Sequence, residues 1–153
     1  MYETTELGFM TSVSADKGRV YFALYYEHPT LVADAAFKRA AATWRDAIGS
    51  IEGFRPGTDL FVEQGIRTEP QFRAAWNGIA DQAALNQMPV WGGNIFSHAS
   101  KDTRDDGLEF VSVQSDGTIS QSDIKALNVM PWDQNGYLIL SGCNTGLLGA
   151  TRT

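Results

Sequence analysis

The chain has 153 residues, of which 43% are hydrophobic and 11% aromatic, enough apolar material for one folded domain with a sizeable core. Its formal net charge is −6 and its lysines and arginines are scattered, which argues against the basic face that nucleic-acid binding requires. No apolar run approaches the ~20 residues that cross a bilayer, and the N-terminal MYETTELGF lacks the basic-then-apolar layout of a cleaved secretory signal. We therefore expect neither a nucleic-acid nor a membrane partner.

The only cysteine, Cys143, lies in the stretch LILSGCNTG and decides how the chemistry of the chain is interpreted. One cysteine cannot form an internal disulfide or a cysteine-rich zinc site. It is therefore either a small buried hydrophobe, which is the commoner role of a free cysteine, or a reactive thiol.

Strands and helices alternate through the first half of the chain. Residues 1–16 are polar with isolated apolar positions, and we treat them as an N-terminal extension that includes at most a short edge strand or hairpin. The run VYFALYY at 20–26 is apolar throughout and rich in aromatic residues, which predicts a strand covered on both faces. We expect a helix over 31–48, ended by glycines, and a second short strand over 59–64.

A second helix is predicted to begin at the capping box TEPQ, residues 68–71, whose proline falls near the first helical position. Its apolar stripe repeats at helical spacing: Phe72, Trp76, Ile79 and Ala83. The run VWGGNIFSH follows and predicts a third strand that ends at His98. The two glycines inside this strand indicate a bulge or a close approach of another group to the backbone.

The last part of the chain is predicted to hold a hairpin, a short helix and a fourth buried strand. LEFVSV and TIS are separated by an Asp-Gly pair at 116–117, a typical hairpin turn. A short helix is expected over 120–127 and a loop over 132–136. The apolar run YLILSGC then predicts a strand over 137–143 that ends at the thiol.

Alternating strands and helices, with strands that are apolar throughout, predict an α/β fold: three layers, with a mainly parallel sheet flanked by helices and a β-hairpin between the third and fourth core strands. We find no internal repeat and no linker. Residues 1–153 are therefore expected to form a single domain.

His98 and Cys143 stand at equivalent positions, since each ends a predicted buried strand. In open α/β sheets, ligands bind outside the carboxyl ends of the strands. If the two strands are neighbours, the imidazole and the thiol emerge at the same edge of the sheet. An adjacent imidazole activates a thiol, which is otherwise only a few per cent thiolate at neutral pH.

Residues 94–149 contain, in this order, SHAS, GLEFVSVQSDGTISQSDIKAL and LILSGCNTG. In order and spacing this segment resembles the CHAT domain of caspase-like (clan CD) cysteine peptidases. In that family a strand ends in His-Gly, a hairpin follows, and a second strand ends in a short motif around the cysteine. The resemblance covers a little over a third of the chain and implies a caspase-like α/β domain.

The resemblance also implies roles for three residues. Cys143 would be the nucleophile, His98 would protonate the leaving amine, and the backbone N–H groups of Ala99 and Cys143 would form the oxyanion hole. The chain departs from the family pattern at Ala99, where glycine is usual, and in having only ten residues after the cysteine. The family's later strands form much of the substrate pocket, so here the pocket comes from another chain, the N-terminal segment substitutes, or the site is incomplete.

Three further residues are candidates for binding substrate. Glu27 and His28 follow the first strand, and Glu63 lies near the end of the second. The two carboxylates would favour a basic peptide side chain, and His28 would line the groove. The alternatives are solvated strand ends for the glutamates and an ordinary loop position for His28.

The sequence thus predicts a cysteine endopeptidase that cleaves polypeptides through Cys143 and His98 and needs no metal or organic cofactor. Reducing conditions suit such a thiol, so we expect a bacterial-type cytoplasm, or export without a cleaved signal. Two alternatives stay open. One is a non-catalytic module that binds a partner protein, and the other is the large half of a split peptidase whose sheet is completed by a second chain.

Overall fold

The computed structural model describes residues 17–27, 35–99, 108–109, 118–119 and 121–142. Four strands form the main sheet, in the order β2-β1-β3-β7, and every neighbouring pair is parallel. The strands of this sheet are β1 (Val20–Tyr26), β2 (Leu60–Ile66), β3 (Val90–Phe96) and β7 (Trp132–Ser141). The helices are α1 (Ala35–Ile51), α2 (Glu69–Leu85) and the short α3 (Gln121–Lys125).

The first strand shows why the domain has three layers. All seven residues of β1 are buried, and alternate side chains point to opposite faces of the sheet. Phe22 and Leu24 belong to the core cluster that includes Phe72 of α2, whereas Ala23 packs with Ala41 of α1. The two helices therefore cover opposite faces, and the predicted α/β fold with a parallel sheet flanked by helices is confirmed.

The predicted start of α2 is also confirmed. The Thr68 hydroxyl accepts a hydrogen bond from the backbone N–H of Gln71 at 3.3 Å, and the Gln71 side chain accepts one from the N–H of Arg67 at 2.8 Å. These two bonds satisfy donors that a helix leaves free at its N-terminus. The start that we predicted for α1 lies outside the described residues, and its end at Ile51 lies three residues beyond the predicted one.

The two glycines of β3 mark the irregularity that the sequence predicts. The register of β3 shifts between Val90 and Gly92 against both of its neighbours. A Cβ at Gly93 would collide with the Phe22 ring of β1, and a Cβ at Gly92 would lie 2.8 Å from the Tyr137 ring of β7. Glycine is needed here because aromatic rings of the adjacent strands lie over the backbone.

The loop that we predicted at 132–136 is wrong, because these residues belong to β7. Trp132 pairs with Val90 and Tyr137 pairs with Gly92, so the intervening polar residues bulge out of the ladder without ending the strand. Within this bulge the N–H of Asn135 donates to the Asp133 carboxylate at 2.9 Å.

Two strand ends also differ from the prediction. β3 ends at Phe96, and His98 belongs to β4 (His98–Ala99), which starts a second sheet. β2 continues to Ile66, so Glu63 lies in the middle of this edge strand and not at its end. The sequence pattern failed here because two polar residues and a glycine, 63–65, separate Ile66 from the apolar residues 60–62.

The second sheet is antiparallel, in the order β4-β5-β6, with β5 at Leu108–Glu109 and β6 at Thr118–Ile119. The Asp-Gly pair at 116–117 lies outside the described residues, as does the extension at 1–16, so the hairpin turn stays a prediction. None of the helices described is long and apolar enough to cross a membrane.

Candidate active site

The two strands that lead to His98 and Cys143 are neighbours, as the proposed pairing requires. β3 and β7 run parallel, their last paired residues are Phe96 and Ser141, and the N–H of Ser97 donates to the Ser141 carbonyl at 3.1 Å. His98 follows Phe96 by two residues, and Cys143 follows Ser141 by two residues. Cys143 itself lies outside the described residues, so its distance from the imidazole stays a prediction.

The His98 ring is held by aromatic side chains. It makes edge-to-face contacts with Phe37 of α1 and Tyr26 of β1, with ring centroids 5.0 and 5.7 Å away. The side chain is only partly buried. Such packing restricts the orientation of the imidazole, and part of the side chain remains accessible to solvent.

A polar pair behind this edge was not predicted from the sequence. Asn94 is buried in the middle of β3, and its side-chain oxygen accepts a hydrogen bond from the Ser141 hydroxyl at 2.8 Å. This hydrogen bond joins β3 to β7 shortly before the chain reaches His98 and Cys143. The sequence does contain a signal for this pair: Asn94 is the single polar side chain in an otherwise apolar strand. A buried amide side chain needs a hydrogen-bond partner, so a partner on a neighbouring strand could have been expected.

Ala99 is compatible with the role that the resemblance implies. Its backbone lies in β4, opposite Leu108, and strand backbone suits any residue with a Cβ. The departure from the usual glycine therefore causes no backbone strain at this position.

Both glutamates suggested as substrate-binding residues are already paired with arginines. Glu27 accepts a hydrogen bond from Arg67 at 2.9 Å, and Glu63 forms an ion pair with Arg45 of α1. Burial, followed by the nearby charges of Glu27 and Glu63, raises the pKa of Tyr25 between them. Each carboxylate nevertheless has an arginine partner within the chain, which weakens the expectation of a basic peptide side chain. His28 lies outside the described residues.

A shallow hollow of about 340 Å³ lies at the opposite, amino end of the sheet. Its lining is mainly apolar: Ala83, Ala84, Gln87, Met88, Pro89, Pro131 and Trp132. It contains no nucleophile or titratable group among these residues, so it offers no alternative catalytic centre. Within the described residues, no three His, Cys, Asp or Glu side chains lie close enough together to hold a metal ion.

No protein-family model, curated protein or solved structure matches the chain.

Proposed function

We propose that this chain is a cysteine endopeptidase of the caspase-like type, with Cys143 as nucleophile and His98 as general acid. The observation that carries the proposal is the register of β3 and β7. The last pair of these adjacent parallel strands is Phe96 with Ser141, and along the chain His98 and Cys143 each follow by two residues the member of that pair on their own side. Neighbouring strands lie about 4.8 Å apart, so two such positions are within reach of one peptide bond.

The reaction proceeds in two steps. The Cys143 thiolate attacks the carbonyl carbon of the scissile bond, and the N–H groups of Ala99 and Cys143 donate to the oxyanion that forms. His98 gives a proton to the leaving amine as the C–N bond breaks, which leaves a thioester. His98 then takes a proton from a water molecule, whose oxygen attacks the thioester and releases the carboxylic acid and the Cys143 thiolate, so that the protonated His98 and the thiolate are restored. No metal or organic cofactor enters these steps.

The surroundings of His98 support a positioned acid–base group. Its contacts with Tyr26 and Phe37 restrict the orientation of the ring, as a general acid requires. The proposed substrate is a polypeptide, and the proposed location is a reducing cytoplasm or export without a cleaved signal, since either must keep the thiol reduced until it acts.

Covalent trapping tests the proposal. We expect a mixture of peptidyl chloromethyl ketones to add one peptide to the folded protein, and tandem mass spectrometry to place it on Cys143, because such probes need both a nucleophile and a substrate groove. Replacing His98 with Phe preserves an aromatic ring against Tyr26 and Phe37 and is expected to slow trapping at least about a hundredfold.

Equal trapping of the wild-type protein and of His98→Phe would contradict the dyad. Iodoacetamide should not need the groove. If it labels the folded and the denatured protein equally, and the folded protein reacts no faster with peptidyl probes than with iodoacetamide, the chain has no substrate groove at Cys143.

The alternative is a non-catalytic module that binds a partner protein. The exposed apolar residues 138–140 of β7 favour it, because an exposed apolar surface is typical of an interaction site. In that case a partner binds Cys143→Ala and His98→Phe as tightly as the wild-type protein, and no covalent adduct forms.

A further inference from the structure

Within the described residues, β7 is the strand at one end of the main sheet. It pairs with β3, and no residue in the described part of the chain pairs with its other side, which we call the β7 edge. Three consecutive apolar residues of this strand are exposed: Leu138 by 40%, Ile139 by 39% and Leu140 by 42%. An open edge offers unpaired N–H and C=O groups to any strand that approaches it.

The apolar residues of β7 lie on both faces of the sheet. Ile139 stands beside Asn94 on the face that α1 covers, whereas Leu138 and Leu140 stand beside Gly93 and Ile95 on the face of the main core. Strands that are apolar on both faces are typical of sheet interiors, as β1 illustrates with seven buried residues. The composition of β7 therefore suits a strand with neighbours on both sides.

The two edges of the main sheet differ in how they are protected. At the other edge, β2 carries Glu63 in its centre, paired with Arg45, and charged side chains on an edge discourage further pairing. Residues 136–141 of β7 contain no charged residue and no proline. The protection found on β2 is absent from this segment.

We propose that the β7 edge pairs antiparallel with the β7 edge of a second copy of this chain, about a two-fold axis at Ile139. The segment Tyr-Leu-Ile-Leu-Ser at 137–141 is self-complementary in this register, because Leu138 of each copy lies opposite Leu140 of the other. A two-fold axis requires the same surface on both copies and opposite strand directions. The chain carries a net charge of −6, but residues 136–142 contain no charged side chain, so pairing of this segment with its copy brings no like charges together. The result is a continuous sheet of eight strands.

This proposal does not depend on the catalytic one, and its first test is the oligomeric state of the full chain. Sedimentation equilibrium over about a hundredfold range of concentration is expected to show a monomer–dimer equilibrium. Leu140→Lys places a charge on the β7 edge and should raise the dissociation constant at least about tenfold. The matched control is Val129→Lys, which also replaces an exposed apolar side chain, 90% exposed and outside the strand, and should leave the constant unchanged.

Cross-linking tests the register, and it remains informative if Leu140→Lys does not fold. In a Cys143→Ser background, Ile139→Cys places one thiol of each copy at the two-fold axis, where directly opposed strand residues lie within disulfide range. Oxidation should give a covalent dimer, and Val129→Cys in the same background should give none.

Three results would overturn the proposal. A monomer at all concentrations whose β7 amides resist hydrogen exchange would mean that another segment of the same chain occupies the β7 edge. A monomer with rapidly exchanging β7 amides would mean that the edge stays open. A dimer whose dissociation constant is unchanged by Leu140→Lys, and that Ile139→Cys does not cross-link, would place the interface elsewhere.

Discussion

At the scale of single residues, Asp59 is the clearest electrostatic feature of the described chain. Its side chain has no solvent exposure and accepts hydrogen bonds from the backbone and the guanidinium of both Arg19 and Arg55, at 2.8–3.0 Å. Burial alone would raise the pKa of this carboxyl, but the hydrogen bonds from Arg19 and Arg55 outweigh it and hold the pKa well below its usual range. Asp59 thus ties the starts of β1 and β2 together.

We expect Asp59→Asn to lower the free energy of unfolding at pH 7 by about 3 kcal/mol, since it leaves the largely buried side chain of Arg19 and the half-exposed side chain of Arg55 without their counter-charge. Because the folded pKa is depressed, the ionised carboxyl stabilises the protein fully above its unfolded pKa of about 3.9. That contribution is lost as the pH falls below this value towards the folded pKa. Urea unfolding of both proteins from pH 7 to pH 2.5 measures the difference, which should shrink with acidity.

The matched control is Asp46→Asn, since the Asp46 side chain is 77% exposed. It should change the free energy of unfolding by less than about 0.5 kcal/mol. A difference between the wild-type protein and Asp59→Asn that stays constant down to pH 2.5 would contradict the depressed pKa.

The sequence predicted the cap at Thr68 but not the role of Asp59. A capping box is local, so its partners stand within three residues of each other and are visible in the sequence. Asp59 and Arg19 are 40 residues apart, and only the parallel pairing of β1 with β2 brings them together.

At the scale of secondary-structure elements, β3 shows that a strand needs glycine where an aromatic ring of a neighbouring strand lies directly over its backbone. Gly93 lies against the Phe22 ring, whereas Gly78 of α2 has no atom within 4 Å of the position of a Cβ. The two glycines therefore should respond to the same substitution in opposite directions.

We expect Gly93→Ala to lower the free energy of unfolding by about 1–3 kcal/mol, because the added methyl group displaces a buried ring. Gly78→Ala should raise it by about 0.5–1 kcal/mol, since alanine loses less conformational freedom in a helix. Chemical denaturation of both variants measures the two changes. Equal effects of the two substitutions would show that the ring does not lie over Gly93.

The elements that the sequence placed well have continuous patterns, and those that it misplaced are interrupted. β1 was predicted with both ends correct because all seven residues are apolar. The start of β7 was missed because the polar bulge at 133–136 resembles a turn, and only the ladder with β3 shows that the strand continues through it. A bulge and a loop have similar compositions, so the sequence alone does not separate them.

At the scale of the whole molecule, the alternation of strands and helices was sufficient to predict the α/β class with a mainly parallel sheet. The predicted site required β3 and β7 to be neighbours, but the sequence did not predict the strand order. The neighbours in a sheet are set by crossovers that composition does not specify. The structure shows that β3 and β7 are neighbours. In the part of the chain that the structure describes, the main sheet has two unlike edges, and an ion pair is found at the centre of β2 but not of β7.

The central claim is that an imidazole and a thiol meet at the carboxyl edge of β3 and β7. The rate at which iodoacetamide alkylates Cys143 in the folded protein, between pH 5.5 and pH 8.5, tests it most directly. Below pH 7 we expect the wild-type protein to react at least about tenfold faster than an unstructured cysteine peptide, and His98→Phe to react no faster than that peptide. A thiol that reacts only after denaturation, or at the same rate in both proteins, would contradict the account.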